Sequence, residues 1–411
     1  MIAEIISIGT ELLLGDIVDT NSTYIADKLT ANGYDIHYMT TVGDNRERLI
    51  RVLKKAISRA DIIITTGGLG PTDDDLTREA IAAATGLPLK KVPALVEEIK
   101  DYFQHKNYPM TENNYKQAYL PEGSRPINNQ RGTAPGILLE TDSYIIISLP
   151  GVPREMKFMF TEEVIPYLQN LLQGKIKSKV LNFFSIGEST LETEIKDILD
   201  KQTNPTLALL AGTGEVKIRI TAKGKTDQEV DRLIQGAERE IRERVGQYIY
   251  SVNDEDLAVV TGRLLVEKGL TLSVAESCTG GLIGNRITDV PGSSRYFMGG
   301  MITYSNQAKM CHLGVKSIIL ENFGAVSRET VSEMAEGVRK KMSTDIGIAV
   351  SGIAGPEGGS KEKPVGTVYI GLSTPTGTDT FKLKLKGDRV WNKWMSTQYA
   401  LYYLYKYLRE S

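Results

Sequence analysis

The chain has 411 residues, 41% hydrophobic and 24% charged, with a net charge of -2. That length is long for one core and predicts two or three domains, while nothing in the near-neutral charge suggests a nucleic-acid footprint, so no nucleic acid is expected among its partners. No apolar run reaches the roughly 20 residues that a bilayer span needs, so no membrane association is expected.

The start, MIAEIISIGTELLLG, carries Glu4 and no basic n-region. It reads as a first strand, Ile2 to Ile8, and not as a signal peptide. Asn21 to Asn32 reads as a helix closed by Gly33, and Tyr34 to Val42 as extended chain. Asp44 with Glu47 makes a capping-box pattern. It precedes a helical face of Leu49, Val52, Leu53, Ala56 and Ile57. Asp61 to Thr65 reads as a short buried strand. Asp74 to Thr85 reads as a helix capped by Thr72 and stopped by Gly86, and Tyr144 to Leu149 as one more central strand. The alternation predicts an α/β domain over 1–170, with three layers and a mostly parallel sheet.

From about Lys175 to Tyr250 the pattern changes. Val180 to Ile186 and Glu215 to Ala222 read as strands, Leu191 to Leu199 and Glu229 to Val245 as helices. A small α+β module over 171–251 is expected, bounded by the polar run SVNDED at Ser251. Residues 252–411 form a further α/β domain. Its strands are expected at Thr271 to Ala275, Tyr296 to Thr303, Asp345 to Val350 and Gly366 to Leu372, with an alternating edge strand at Thr380 to Leu385. Its helices are expected over Val331 to Met342 and Val390 to Leu408.

Cys278 and Cys311 cannot form a disulfide framework, which fits a reducing cytoplasm. His37, His105 and His312 lie far apart, so the usual zinc spacing is missing. A Ser-His-Asp triad would need His312. Any metal would be a hard ion held by carboxylates and phosphates.

Three loops converge if the first sheet is parallel, at the strand ends where ligands bind. TTGGLGPTDDD, Thr65 to Asp75, offers glycines for close backbone approach and turn N–H groups for a phosphate. Three consecutive aspartates would repel that phosphate unless a divalent cation bridges them. The plainer explanation is a glycine turn followed by an acidic, dipole-compensated helix start. GTELLLGD adds Glu11 and Asp16, and LPGVPREM adds Gly151, Pro153 and Glu155.

GTELLLGDIVDTN, TTGGLGPTDDDLTREA and LPGVPREM resemble the molybdopterin-binding fold family of MoaB, MogA and gephyrin-type domains. They are still more similar to the N-terminal domain of the competence/damage-inducible CinA family. The resemblance implies a loop that binds a nucleotide-like or pterin phosphate. A divalent metal (Mg, Mn or Co) assists, with a monovalent ion admitted beside it. In some members this domain hydrolyses the pyrophosphate of ADP-ribose. By that resemblance Asp73, Asp74 and Asp75 are metal or phosphate-loop residues. Gly9, Thr10, Glu11, Asn21, Asp44, Gly67, Gly68, Gly70, Pro71, Thr72, Gly151 and Pro153 become nucleotide contacts. The alternative is a non-catalytic nucleotide- or pterin-binding regulatory module in a competence-associated protein.

In the last domain AESCTGG, Ala275 to Gly281, stands between the apolar run Leu270 to Val274 and the periodic segment Leu282 to Ile287. It reads as strand, sharp turn and helix start. Ser277 would lie near unpaired N–H groups and the positive end of a helix dipole, which suits a nucleophile and its oxyanion. Simple helix capping explains the same serine equally well. The N–H groups of Cys278, Thr279, Gly280 and Gly281 are the candidate oxyanion donors. With histidine scarce, a lysine is the natural base, provided that burial or nearby positive charge keeps it neutral. Lys309 follows Tyr304 by about one helical turn, so both can face one pocket. Taken separately, Tyr304 is a core-edge aromatic and Lys309 a solvated lysine. Cys278 is a small buried filler or an alternative nucleophile, and His312 a surface residue or a reserve base. Ser294, Asn306, Ser351 and Gly352 can also be placed at strand ends. The chemistry so assembled is that of an acyl-enzyme amidase or esterase.

SVAESCTGGLIGNRITDVPGSSRYFMGGMITYSNQAKMCHLGV resembles the C-terminal CinA domain, which also occurs alone as a nicotinamide mononucleotide deamidase. The resemblance implies hydrolysis of nicotinamide mononucleotide (NMN) to nicotinate mononucleotide and ammonia, in NAD recycling, by a serine and a lysine without a cofactor. Ser277 becomes the nucleophile, Lys309 the base and Tyr304 a supporting hydroxyl. Ser294 and Ser351 become pocket or ammonia-side contacts, the family often having Thr at the latter position. GDRVWNK keeps the family's Arg389 but has Lys393 for its second Arg, a point charge in place of a bidentate fork. The expectation is a cytoplasmic enzyme with NMN and ADP-ribose as small-molecule substrates. A homodimer is expected as the commonest symmetric assembly.

Overall fold

A computed structural model describes residues 1–171 and 174–411. Contacts divide it into two compact units, Met1–Ser178 with Thr221–Gln235, and Lys179–Ile220 with Gly236–Ser411. The module expected over 171–251 begins across residues 172 and 173, which lie outside the described residues.

The first unit contains strands β1 (Ile2–Ile8), β2 (Asp35–Val42), β3 (Ile62–Thr66), β4 (Leu89–Lys91), β5 (Tyr119–Pro121), β6 (Arg125–Ile127), β7 (Gly136–Glu140) and β8 (Ile145–Leu149). Its helices are α1 (Thr10–Leu14), α2 (Thr20–Ala31), α3 (Arg46–Ile57), α4 (Thr77–Thr85), α5 (Pro93–Lys106), α6 (Pro153–Met159) and α7 (Ile165–Leu171). Six strands form one sheet in the order β2-β1-β3-β8-β7-β6. The first four are parallel, and β7 and β6 join antiparallel. Ile62, Ile63 and Ile64 of β3 are fully buried, as a central parallel strand requires when both its faces are covered. Each such side chain contributes about 1.5–3 kcal/mol. One face packs Ile6, Ile63 and Ile146 against Leu49, Leu53, Ile81 and Ile99. The other packs Ile5, Ile64 and Ile147 against Ile25, Leu29 and Met156. This is the three-layer α/β arrangement expected.

Two helix starts differ from expectation. Asn45 caps α3 by accepting from the Arg48 N–H, whereas Asp44 accepts from the N–H and hydroxyl of Thr10, both at 2.8 Å. Helix α4 begins at Thr77, not Asp74, because Asp75 folds back to accept from the Thr72 N–H at 2.9 Å. Gly86 ends α4 in the left-handed conformation, as expected. GTELLLGD, expected as a loop, contains the short α1. Gly67 has a φ of 109°, and a Cβ there would collide with the carbonyl oxygen of Ile8. We expect Gly67→Ala to cost more than about 2 kcal/mol in urea denaturation. Gly86→Ala, left-handed but facing open space, should cost about 1–2 kcal/mol. Equal costs would remove the steric argument.

Residues 175–251 hold four strands where two were expected: β9 (Lys175–Phe183), β10 (Thr206–Ala211), β11 (Val216–Gly224) and β12 (Ile249–Ser251), in the order β10-β11-β9-β12. The helix expected over Leu191 to Leu199 is two pieces, α8 (Glu188–Glu194) and α9 (Lys196–Lys201), and α10 (Asp227–Val245) follows.

Residues 252–411, all in the second unit, hold a sheet of β13 (Leu272–Glu276), β14 (Phe297–Ile302), β15 (Ile346–Gly352), β16 (Thr367–Thr374) and β17 (Gly377–Lys384). The order is β14-β13-β15-β16-β17, parallel through β15 and antiparallel beyond it, with β17 at an edge as expected. Its helices are α11 (Leu257–Lys268), α12 (Leu282–Thr288), α13 (Asn306–Leu313), α14 (Ser317–Phe323), α15 (Arg328–Lys341) and α16 (Arg389–Glu410). Val274 and Ile348 pack against Leu257, Ile283 and Leu401 on one face. Ala275 and Ala349 pack against Leu313, Met334 and Val338 on the other. No helix among the described residues is long and apolar enough to cross a membrane.

Candidate functional site

Strands β13 and β15 run parallel with Glu276 opposite Val350. The Ser277 N–H donates to the Val350 carbonyl at 3.0 Å, so Ser277 leaves the sheet at its carboxyl edge. The turn after it is anchored by Glu276, which was not singled out in the sequence. Its buried carboxylate accepts from the N–H groups of Gly281 (2.9 Å), Ile283 (3.1 Å) and Gly284 (2.9 Å). Ser277 therefore does not cap α12; Glu276 takes that place, on the N–H groups of Ile283 and Gly284 in its first turn. The Gly280 N–H is also engaged, with the Ser277 carbonyl at 3.2 Å. Of the four expected oxyanion donors, only the N–H groups of Cys278 and Thr279 make no hydrogen bond among the described residues.

Lys309 reaches Ser277 from α13, whose start is fixed by the Ser305 hydroxyl accepting from the Ala308 N–H at 3.1 Å. Its Nζ lies 3.0 Å from Ser277 Oγ and donates to the carbonyls of Thr303 (2.8 Å) and Tyr304 (3.2 Å). Lys309 is only 1% exposed, so it is not a solvated lysine. Among the described residues no carboxylate pairs with it. Burial holds its pKa below the ordinary 10.5, because the ammonium loses more hydration than the amine. The Cys278 thiol is pushed up to about 12 by burial, which leaves it protonated and inert. His312 is exposed in the last turn of α13 and touches neither residue of the pair through a hydrogen bond.

Tyr304 meets Lys309 through its main chain. Its phenol is exposed, and its hydroxyl accepts from Arg389 Nη2 at 3.4 Å; the group that meets Lys309 is its main-chain carbonyl. Arg389 also donates to the Gly355 carbonyl at 2.7 Å. Lys393 Nζ stands 3.8 Å from where a Cβ on Gly280 would lie, so the second cation of GDRVWNK is beside the Ser277 turn. Ser351 is buried at the same strand edge and donates to the Ala325 carbonyl at 2.7 Å, next to Gly352 at the end of β15. Asn306 is the exposed first residue of α13. Ser294 is not brought to the site. It precedes β14, whose Phe297 pairs with Leu272, whereas Ile302 pairs with Glu276; Ser294 is thus exposed at the opposite edge of the sheet. The hydroxyls of Thr279 and Thr303 are buried without a hydrogen-bond partner among the described residues.

In the first unit a cleft of about 410 Å3 lies at the carboxyl ends of β1, β3 and β8. The three loops converge there. Gly9 and Glu11 come from the first, Gly67, Gly68, Gly70, Pro71 and Thr72 from the second, Gly151 from the third, and Asp44 follows β2. Thr10, Asn21, Pro153 and Asp73 do not line it. Thr10 is bound to Asp44, and Pro153 opens α6. Buried Asn21 ties the Thr66 hydroxyl (3.0 Å) to the Gly151 carbonyl (2.8 Å). Asp73 is exposed outside the cleft. Glu155 and Gln117 also line the cleft, Glu155 accepting from Asn129 Nδ2 at 2.7 Å.

Two cations hold the glycine loop from beneath. Arg78, fully buried, donates to the carbonyls of Leu69 (2.6 Å) and Gly70 (3.3 Å), and burial pushes its pKa down to about 10. Lys116 donates to the carbonyls of Thr72 (2.9 Å) and Asp75 (2.6 Å). An arginine among the small and apolar residues of the helix TREAIAAAT, directly after the glycine loop, is the available signal for Arg78. The three aspartates do not converge. Asp75 is committed to Thr72, and among the described residues no group of three or more His, Cys, Asp or Glu is arranged to hold an ion. Asp74 and Asp75, with Glu11 and Glu155 in the same cleft, suit an ion whose other ligands are water and substrate phosphate, as Mg-type ions accept.

Three family models match the chain. A "Probable molybdopterin binding domain" covers 4–170, the "Damage-inducible protein CinA KH domain" 178–251, and the "CinA C-terminal domain" 254–408. A Halothermothrix orenii protein named as competence-damage inducible is 60% identical over 412 residues, covering 100% of both chains. A CinA-like protein of Dictyoglomus turgidum is 50% identical over 389 residues, covering 95% of each. The crystal structure of a competence/damage inducible protein from Agrobacterium tumefaciens is 37% identical over 38% of this chain and 97% of its own, with a TM-score of 0.36.

Proposed function

The chain belongs to the CinA family, and from that premise we propose that its Ser277 site hydrolyses the carboxamide of NMN to nicotinate mononucleotide and ammonia. The observation that carries this reading is the 3.0 Å contact between Lys309 Nζ and Ser277 Oγ, around an amine that burial favours in its neutral form. A neutral amine has two hydrogens. The carbonyls of Thr303 and Tyr304 accept both, which leaves the lone pair for the Ser277 hydroxyl. Ser277 Oγ then attacks the carboxamide carbon as its proton passes to Lys309. The N–H groups of Cys278 and Thr279 receive the oxyanion. Lys309 returns the proton to the leaving nitrogen, the C–N bond breaks and ammonia departs. Water, deprotonated by the same amine, cleaves the acyl-serine. Arg389 and Lys393 supply positive charge for the nucleotide phosphate. The test is ammonia release from NMN by the purified protein, matched mole for mole by nicotinate mononucleotide. Ammonia from other amides but not from NMN would move the substrate assignment elsewhere.

A second reading concerns the cleft over the glycine loop, which we assign to metal-dependent cleavage of ADP-ribose. Turn N–H groups and the braced loop hold the pyrophosphate, and a divalent ion, when bound, offsets its charge. Asp74, with the Asp75 oxygen that Thr72 leaves free, would share that ion. Cleavage to AMP and ribose 5-phosphate should require added divalent metal, stop with chelator and survive Ser277→Ala. No cleavage across Mg, Mn and Co would leave a nucleotide- or pterin-binding module. Nucleic acid stays outside the proposal. KH domains clamp a backbone with a G-x-x-G loop, and no such spacing occurs in 178–251. The nearest, Gly212-Thr213-Gly214, accepts the Trp394 indole N–H at 3.1 Å through Thr213.

A further inference from the structure

Thr133 lines both the cleft over the glycine loop and a neighbouring cavity of about 270 Å3. Its floor is Leu95 and Ile99 of α5, both 3% exposed. Glu98 and Tyr102 share that helical stripe at i+3 and i+7 from Leu95, with Asp101 beside them. Asn128 and Asn129, from the loop between β6 and β7, form the facing wall. Asn129 is also the residue that donates to Glu155 of the main cleft, so one amide fixes the partition between the two spaces.

The side chains of Glu98, Asp101, Tyr102 and Asn128 hydrogen-bond to nothing among the described residues. An apolar floor with a few uncommitted polar groups is the composition of a small-molecule site. The lining has two carboxylates and no cation, which disfavours a phosphate as its occupant. Carboxylates accept from hydroxyls, and a carboxylate on ribose hydroxyls is a recurrent solution in nucleotide sites. Tyr102, Leu95 and Ile99 supply apolar surface for a base.

We propose that this cavity is the nucleoside subsite of the pyrophosphate cleft. The phosphates lie over Gly67 to Thr72, and the nucleoside end crosses Thr133 to set its ribose hydroxyls on Glu98 and Asp101 and its base on Tyr102. The inference rests on the cleft binding a pyrophosphate-linked nucleotide, and the test separates the two claims. Titration calorimetry on the full-length protein without added metal, so that ADP-ribose is not cleaved, would compare ADP-ribose, AMP, ribose 5-phosphate and inorganic pyrophosphate. Tyr102→Ala, and separately the pair Glu98→Gln with Asp101→Asn, should each weaken ADP-ribose and AMP about tenfold, the loss of about 1.4 kcal/mol of contact, and leave pyrophosphate unchanged. The amide pair is nearly isosteric and exposed, so it keeps the test decisive should Tyr102→Ala misfold. Wild-type nucleotide affinity in the pair, or an equal loss for pyrophosphate, overturns the subsite. So does a wild-type protein that binds AMP no better than ribose 5-phosphate. A wild-type protein that binds none of the four overturns the reading of the cleft itself, and the subsite with it.

Discussion

Ser277→Ala is expected to lower ammonia release from NMN by about 10,000- to 1,000,000-fold, the range seen when a serine nucleophile is removed from a coupled unit. The loss should be this large because no neighbour can replace the oxygen. The Cys278 thiol is buried and pushed up to about 12. The Ser351 hydroxyl is committed to the Ala325 carbonyl. Affinity for NMN should be nearly unchanged, since Arg389 and Lys393 are untouched, so the effect belongs in kcat and not in KM. A rapid-quench assay adds a second check: wild-type protein should accumulate an acyl adduct on Ser277 if deacylation limits the rate, and the variant should form none. Retention of even a tenth of the wild-type rate would exclude Ser277 as the nucleophile.

Lys309→Met should cost about 100- to 10,000-fold in kcat, the usual worth of a positioned acid–base group. The pH dependence makes this more specific. Burial lowers the folded-state pKa of Lys309 below 10.5, and the reaction needs the neutral amine. Activity should therefore rise with pH through that lowered value and level off before 10.5 is reached. Stability carries the same sign. Between the folded and unfolded values the unfolded chain binds more protons, so stability rises with pH across that window, and the penalty is full below it. Lys309→Met should flatten both dependences. It should also leave the Thr303 and Tyr304 carbonyls without a donor, at a cost of about 1–3 kcal/mol. An ascending limb at the ordinary lysine value, or one that persists in the variant, would falsify the assignment of the base.

The fold was largely legible because burial periodicity is local. The isoleucine runs of β1, β3 and β8 announce covered strands, and Gly33 and Gly86 mark helix ends. What failed was decided by long-range polar bonds. Asp44 looks like a helix cap until Thr10, 34 positions away, takes its carboxylate. Thr72 looks like the cap of α4 until Asp75 closes the turn instead. Ser277 and Lys309 were both legible, because scarce histidine left few bases. That they meet depends on the parallel register of β13 with β14 and on the entry angle of α13, which no motif states. The sequence draws attention to the hydroxyl of Tyr304, and the contact between its carbonyl and Lys309 is visible only in three dimensions. Glu276 escaped notice because a glutamate at a strand end is unremarkable until three N–H groups converge on it.

The bonds from Lys309 to the carbonyls of Thr303 and Tyr304 have a consequence for how this site can change. The groups that aim the amine are peptide oxygens, so every residue type at those two positions supplies them. A scan of side chains would find Ser277 and Lys309 and miss the element that orients them. That element is exposed only to backbone editing, such as an ester in place of the amide, or to insertions that shift the 303–309 turn. Drift in side chains can retune the pocket around the pair, while a single added residue in that turn would disarm it.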